Sequence, residues 1–292
     1  MQQFVNLTLS GIVLGFVFAA FSLTLVLIFR ATRIINFGQG AMAMFSTYLA
    51  LEMSQRGYSY WVSLLVALVS GFVIGGLVER LIIRRVEHGN ELNAVIVTLG
   101  LFVGFIALAA ILFGNTFESF SAPFSLSGIS VGGTNLAITP NDFYRVAAVL
   151  TAMGLLLVLF RFTSLGLQMR ASAFGQEVAR LLGVRVGWML TLGWALAGLF
   201  GALAGVLIGA GGLVSPNFMD GVVIFGFVAA VLGGLDSFVG AVVGGLVLGL
   251  TNSYVAGYVD PSLVTLAALA ILVAVLLLKP GGLFSSSVAR KV

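Results

Sequence analysis

Residues 4–29 read FVNLTLSGIVLGFVFAAFSLTLVLIF, an unbroken stretch without a charged side chain. As an α-helix it would extend about 39 Å at 1.5 Å per residue, more than the roughly 30 Å hydrocarbon core of a bilayer. The stretch therefore reads as a membrane-spanning helix. It does not read as a cleavable signal peptide, because no basic segment leads into it and the apolar run is too long.

The rest of the chain agrees with that solvent. Of 292 residues, 60% are hydrophobic and 8% charged, and the mean hydropathy is +1.16. Soluble domains carry about 25% charged residues. A span needs about 20 mostly apolar residues, which leaves room for eight to ten helices and no separate soluble domain. The fold class expected is an all-α polytopic membrane protein, a single transmembrane domain over residues 1–292. Apolar runs between polar punctuation predict nine spans near 4–29, 36–53, 61–79, 93–113, 143–160, 187–210, 221–235, 238–256 and 262–278. The run at 221–235 is short, so eight crossings is an alternative.

Arginine and lysine fix an expected orientation. With the N-terminus outside, twelve cations fall inside: Arg30, Arg33, Arg80, Arg84, Arg85, Arg161, Arg170, Arg180, Arg185, Lys279, Arg290 and Lys291. Only Arg56 and Arg145 fall outside. The polar interval 114–142, rich in Ser, Gly and Thr, then faces out and the C-terminus lies in the cytoplasm. The net charge of +4 is explained by this bias. Cations scattered through short loops form no basic face for nucleic acid.

Thirty-eight glycines form a second signal, since small residues let helix backbones approach closely in lipid. Gly-x-x-x-Gly pairs occur at Gly11/Gly15, Gly71/Gly75, Gly100/Gly104, Gly201/Gly205, Gly205/Gly209, Gly240/Gly244 and Gly245/Gly249. A weak internal repeat accompanies them. TLSGIVLGFVFAAFSLTL (8–25) is followed by NFGQG (36–40), and TLGWALAGLFGALAGVLIG (191–209) by NFMDG (217–221). With the first motif inside and the second outside, this is the pattern of an inverted-topology repeat with broken helices. Chance similarity between Gly-rich spans would give the same impression.

Enzyme chemistry finds no footing. There are no cysteines, hence no thiolate metal site or cysteine nucleophile. The lone His88 sits among charged loop residues, so no metal site and no cofactor is expected. Neither lysine stands in a phosphate-binding Gly-x-x-x-x-Gly-Lys-Ser/Thr loop. Glu52, Glu79, Asp220, Asp236 and Asp260 all fall at or near span ends, which argues against a proton or sodium relay. Driving energy is expected from another chain.

Two segments remain as candidates. In residues 36–40, Asn36 is expected to cap the second span, with Gly38 and Gly40 loosening the backbone and Gln39 adding a donor and an acceptor. A discontinuous helix there would present a dipole end to a carboxylate. An ordinary capped helix start explains the same residues. Thr98, Gly100 and Asn217 join this set as a substrate-pathway group. The second candidate is the loop 161–186, where residues 171–182 are expected to form one short helix. Phe174, Val178, Leu181 and Leu182 make an apolar stripe, Glu177 and Arg180 a polar side, and Gly183 a stop. Such a helix would lie on a membrane surface or dock into a partner's groove.

The spacing Glu177-Val178-Ala179, three residues, Gly183 resembles the Glu-Ala-Ala-x-x-x-Gly loop of ABC importer permeases. The run LGLQMRASAFGQEVARLLGVRV (165–186) resembles the corresponding loop of LivH-type branched-chain amino-acid permeases. So do ATRIINFGQGAMAMFSTYLA (31–50), VIVTLGL (95–101), VLGGLDSFVGAVVGGLVLGL (231–250) and LKPGGLF (278–284). Two departures are that Val178 stands where the second alanine is usual and that the Ile-x-Leu-Pro continuation is absent. The resemblance implies a permease subunit of an ATP-driven importer in a bacterial inner membrane, with branched-chain or related amino acids as cargo. It implies a paralogous LivM-like permease, two cytoplasmic LivG/LivF-like ATPase subunits and an extracytoplasmic binding protein as partners. Phe174, Gly175, Glu177, Val178, Ala179, Arg180, Leu182 and Gly183 would couple to the ATPases. The other reading of the sequence is a stand-alone secondary carrier or channel.

Overall fold

The computed structural model describes residues 1–86, 91–131 and 134–284. His88, Arg290 and Lys291 therefore lie outside the described residues. The helices are α1 (Gln2–Thr32), α2 (Gln39–Gln55), α3 (Tyr60–Val86), α4 (Glu91–Phe113), α5 (Pro140–Phe162), α6 (Ser164–Phe174), α7 (Gln176–Leu181), α8 (Val186–Gly209), α9 (Asp220–Gly233), α10 (Phe238–Tyr258) and α11 (Pro261–Leu278). Seven of these are long and apolar enough to cross a membrane, α9 is a shorter apolar helix and α2 has 17 residues. The chain is a multi-pass, all-α membrane protein. Small antiparallel strand pairs join Glu118–Ser119 to Leu213–Val214 and Ile129–Val131 to Thr134–Leu136.

The chain forms two compact units: one of Met1–Val26, Phe124–Met153 and the chain from Ile224 on, the other of Leu27–Pro123 and Gly154–Val223. In the second unit α3 and α8 pack antiparallel through bare backbone. Gly71 faces Gly198 and Gly75 faces the Trp194 carbonyl, at distances that leave no room for a methyl group. On another side of α8, Gly201 meets the Gln39 side chain and Gly205 meets Thr47, so α2 runs parallel to α8. In the first unit the corresponding relation appears. Gly15 faces Leu246 and Gly11 faces Leu250, so α1 and α10 are antiparallel, and Gly226 of α9 abuts Phe21. In the two helix triplets α1–α3 and α8–α10, α8 thus packs on α2 and α3, and α1 on α9 and α10. An inverted-topology repeat produces that reciprocal pattern.

Three sequence expectations are corrected by the fold. The span ending near 79 continues to Val86 through a π-helical turn at Glu79–Ile83, because its cations lie along a helix end rather than in a loop. Glu79 is consequently inside a helix and wholly buried, not at a span end. The Gly100/Gly104 pair is not a packing seam: among the described residues, a methyl group added at either glycine would meet nothing within 4 Å. Both glycines line an apolar hollow with Ile82, Val97, Leu101, Phe105 and Leu108.

Candidate functional site

Asn36 is not the cap of α2. Gly38 holds that position without a side-chain cap, and the Asn36 carboxamide oxygen instead accepts from the Gly38 N–H at 3.0 Å. This closes an Asx turn, a local bond that competes with helix and so delays the start of α2. The Asn36 amide donates to Gln39 Oε1 at 3.1 Å, and Gln39 Nε2 donates to the Ala197 carbonyl at 2.9 Å. Asn36 and Gln39 are both buried. Ala197 lies near the middle of α8, so α2 begins alongside the midpoint of a membrane-length helix. Gly38 lies close enough to α4 that a methyl group would sit 3.0 Å from the Thr98 carbonyl.

The sequence-predicted pathway residues therefore separate. Asn36, Gly38, Gln39, Gly40 and Thr98 are all buried, with Gly38 against Thr98. Gly100 faces outward from α4. Asn217 is exposed at the start of α9, and its amide donates to Asp220 at 3.0 Å. The i to i+3 bond from Asn217 to Asp220 repeats the bond from Asn36 to Gln39, which supports the repeat at the level of side chains.

The loop between α5 and α8 holds two helices rather than one. Thr163 caps α6 by accepting from Gly166 N–H at 3.1 Å, and the chain breaks at Gly175, in extended backbone, before α7. The single-helix expectation follows the apolar spacing across Gly175, where the backbone carries no side chain to hold a helix together. α7 ends in a Schellman motif: Val184 N–H donates to Ala179 O and Gly183 N–H to Arg180 O, with Gly183 at φ +82. The four-residue step from Ala179 to Gly183 is the distance from the last-turn carbonyl to the left-handed stop. Ala179 is buried against Val186 and Leu190, with Val184 and Ala171 alongside. The motif's alanine and glycine are thus an anchor and a terminator. Val178 points out, 61% exposed, so its extra bulk over alanine lies mostly at the surface.

The stripe itself faces away from the protein. Phe174 is 87%, Leu181 88% and Leu182 76% exposed, and Glu177 and Arg180 are exposed as well. Isolated exposed apolar residues need no explanation, but four exposed apolar side chains within nine residues, Phe174 at the end of α6 and Val178, Leu181 and Leu182 on or just after the anchored α7, mark an interaction surface.

A third cluster is one that sequence reading misses. Arg84 donates to both oxygens of Glu79 at 3.0–3.1 Å, to the Gly187 carbonyl at 2.6 Å and to Thr191 at 2.7 Å. The Thr191 hydroxyl also bonds Glu79, at 2.5 Å. In a regular helix residues five apart point about 140° from each other; the π turn brings Glu79 and Arg84 together. The cluster ties α3 to the first turns of α8, directly after the α7 anchor. No spacing rule in the sequence signals it.

Comparison with known proteins gives the family. Residues 7–278 match the family described as branched-chain amino acid transport system, permease component. The chain is 27% identical to the high-affinity branched-chain amino acid permease protein LivH of Escherichia coli, over all of this chain and 97% of that one. It is 28% identical to BraD of Pseudomonas aeruginosa, over all of this chain and 98% of that one. To the probable LivH of Methanocaldococcus jannaschii it is 27% identical, over 90% of this chain and 86% of that one. Matched from its seventh residue to within fourteen of its last, the chain belongs to the permease-component family of branched-chain amino acid transport systems.

Proposed function

We propose that this chain is a translocation subunit of an ATP-driven importer for branched-chain or related amino acids, resident in the cell membrane with its N-terminus outside and its C-terminus in the cytoplasm. Nine crossings accommodate the helices, α2 and α9 being the shortened ones. A paralogous LivM-like permease, two LivG/LivF-like ATPases and an extracytoplasmic binding protein complete the machine. The observation that carries the reading is the anchored α7 with its outward apolar ridge. An ATPase groove takes Phe174, Val178, Leu181 and Leu182, while Gly175, Glu177, Ala179, Arg180 and Gly183 set the shape and polar edge of the contact.

Motion enters through α8. Its first turn holds Ala179 through Val186 and Leu190, and it bonds Arg84 through Gly187 and Thr191. Further along the same helix the Ala197 carbonyl receives Gln39. A displacement of α7 is thereby delivered, along one rigid helix, to the mid-depth start of α2. There Asn36, Gly38, Gln39, Gly40 and Thr98 form one wall of the pathway, with Asn36 bonded to Gly38 and Gln39 and the Thr98 hydroxyl bonded to Val95 of its own helix. Asn217 is the counterpart in the second triplet, and Gly100 borders the outer side of α4.

The orientation is supported by α3, whose cations Arg80, Arg84 and Arg85 all lie at its C-terminal end, a basic end inside. In a reconstituted complex, Glu177→Ala and Gly183→Ala are expected to lower substrate-stimulated ATP hydrolysis and uptake together, by about fivefold or more. Alanine at φ +82 strains the stop by about 1 kcal/mol. Full coupling in both variants, with the complex assembled, rejects the role.

A further inference from the structure

A small cavity of about 150 Å³ lies beside the C-terminal half of α2, lined by Tyr48, Leu51, Glu52, Gln55, Leu112, Phe113 and Glu118. The α2 residues follow at i, i+3, i+4 and i+7, one face of the helix. The lining combines two carboxylates, Glu52 and Glu118, with two leucines and a phenylalanine. Glu118 accepts from Gln55 Nε2 at 3.1 Å and from Thr116 at 3.0 Å, and Glu52 pairs with the exposed Arg56 at 2.9 Å. Each carboxylate keeps acceptor capacity beyond these bonds, since two oxygens offer about four lone-pair sites.

The observation that singles out this hollow is Tyr48. The residue is 1% exposed, its ring stacks on Phe113 at 4.9 Å and 9°, and its hydroxyl has no hydrogen-bond partner among the described residues. A buried hydroxyl left without a partner is costly, and such groups in native proteins serve a ligand or a water. Tyr48 lines the cavity together with two carboxylates, Glu52 and Glu118, and the Gln55 carboxamide.

We infer that this cavity is a binding site for the primary ammonium group of an aliphatic amino acid. Glu118 and Glu52 balance the charge, the Tyr48 hydroxyl accepts one N–H, and the stacked aromatic pair with Leu51 and Leu112 covers the aliphatic side chain. Two carboxylates with apolar walls suit an organic ammonium better than a metal ion, which demands more oxygen ligands. The assignment deepens the import reading and rests on it. In the orientation proposed above the cavity opens on the outer side, where a binding protein releases its cargo.

The test uses the chain assembled with its partner subunits in nanodiscs, without binding protein, titrated calorimetrically with isopentylamine and with 4-methylpentanoate. The wild-type complex is expected to bind isopentylamine saturably and to ignore the acid. Tyr48→Phe and Glu118→Gln are each expected to weaken isopentylamine about tenfold or more, the loss of one charge-assisted hydrogen bond. Tyr48→Phe deletes only a partnerless hydroxyl, so its unfolding midpoint should not fall. Equal affinity in both variants, or equal binding of the acid, overturns the site. Radiolabelled leucine uptake separates the two claims: uptake with an affinity indifferent to both substitutions sinks the site alone. Isopentylamine binding without any amino-acid uptake sinks the import reading and keeps the ammonium site.

Discussion

Placing aspartate at both Phe174 and Leu181 is expected to abolish substrate-stimulated ATP hydrolysis and uptake while the chain still inserts and unfolds at the wild-type temperature. Both side chains project almost fully from the protein, and neither contributes packing to be lost. Exposed substitutions of this kind change stability by about 0.5 kcal/mol or less. In a docked interface the same residues are central apolar anchors, worth about 2 kcal/mol each when disrupted. Two of them correspond to roughly a thousandfold loss in docking affinity. Methionine at both positions keeps apolar bulk and is expected to preserve most coupling. ATPase and uptake assays on the reconstituted complex read the outcome; wild-type coupling in the double aspartate variant removes the ridge from the mechanism.

Arg84→Ala is expected to have the largest effect on stability. It strands the buried Glu79 carboxylate and removes donors from Gly187 and Thr191. Breaking a buried pair by deleting one partner costs about 3–5 kcal/mol, and Arg84, 37% exposed against none for Glu79, belongs at the lower end of that range. The double variant Glu79→Gln, Arg84→Met is expected to recover most of the loss, because neutral replacement of both partners leaves no buried charge. Unfolding in detergent, analysed as a double-mutant cycle, measures the coupling. If the recovered double variant hydrolyses ATP on docking but moves less substrate, the cluster transmits motion as well as holding α3 to α8.

The two kinds of feature differ in how far they are legible in the sequence. Membrane residence follows from composition, and helix positions from uninterrupted apolar runs such as 4–29 and 187–210. The stop of α7 at Gly183 is legible too, whereas the burial of Ala179 against Val186 and Leu190 is not, since it depends on where α8 returns. The break at Gly175 is not, since Phe174 and Val178 keep helical spacing whether or not the backbone between them is helical. Residue preference makes Asn36 a cap, yet its carboxamide reaches Gly38 first and shifts the helix start by two residues. Glu79 reads as a span-end carboxylate because its partner lies five residues on, a distance that pairs only through a π turn. Gly100 and Gly104 share the spacing of six packed pairs, and only the direction they face distinguishes them. The Tyr48 cavity draws on α2, α4 and the strand at Glu118–Ser119, segments that nothing local in the sequence links.

The most direct test of the account exploits the absence of native cysteine. With Leu181→Cys as the sole thiol, a membrane-impermeant maleimide is expected to label the chain in inside-out vesicles but not in intact spheroplasts. Bound ATPase subunits are expected to protect the thiol. Labelling from the exterior, or labelling that the ATPase subunits leave unchanged, contradicts the claim that this short helix is the contact through which a motor moves the permease.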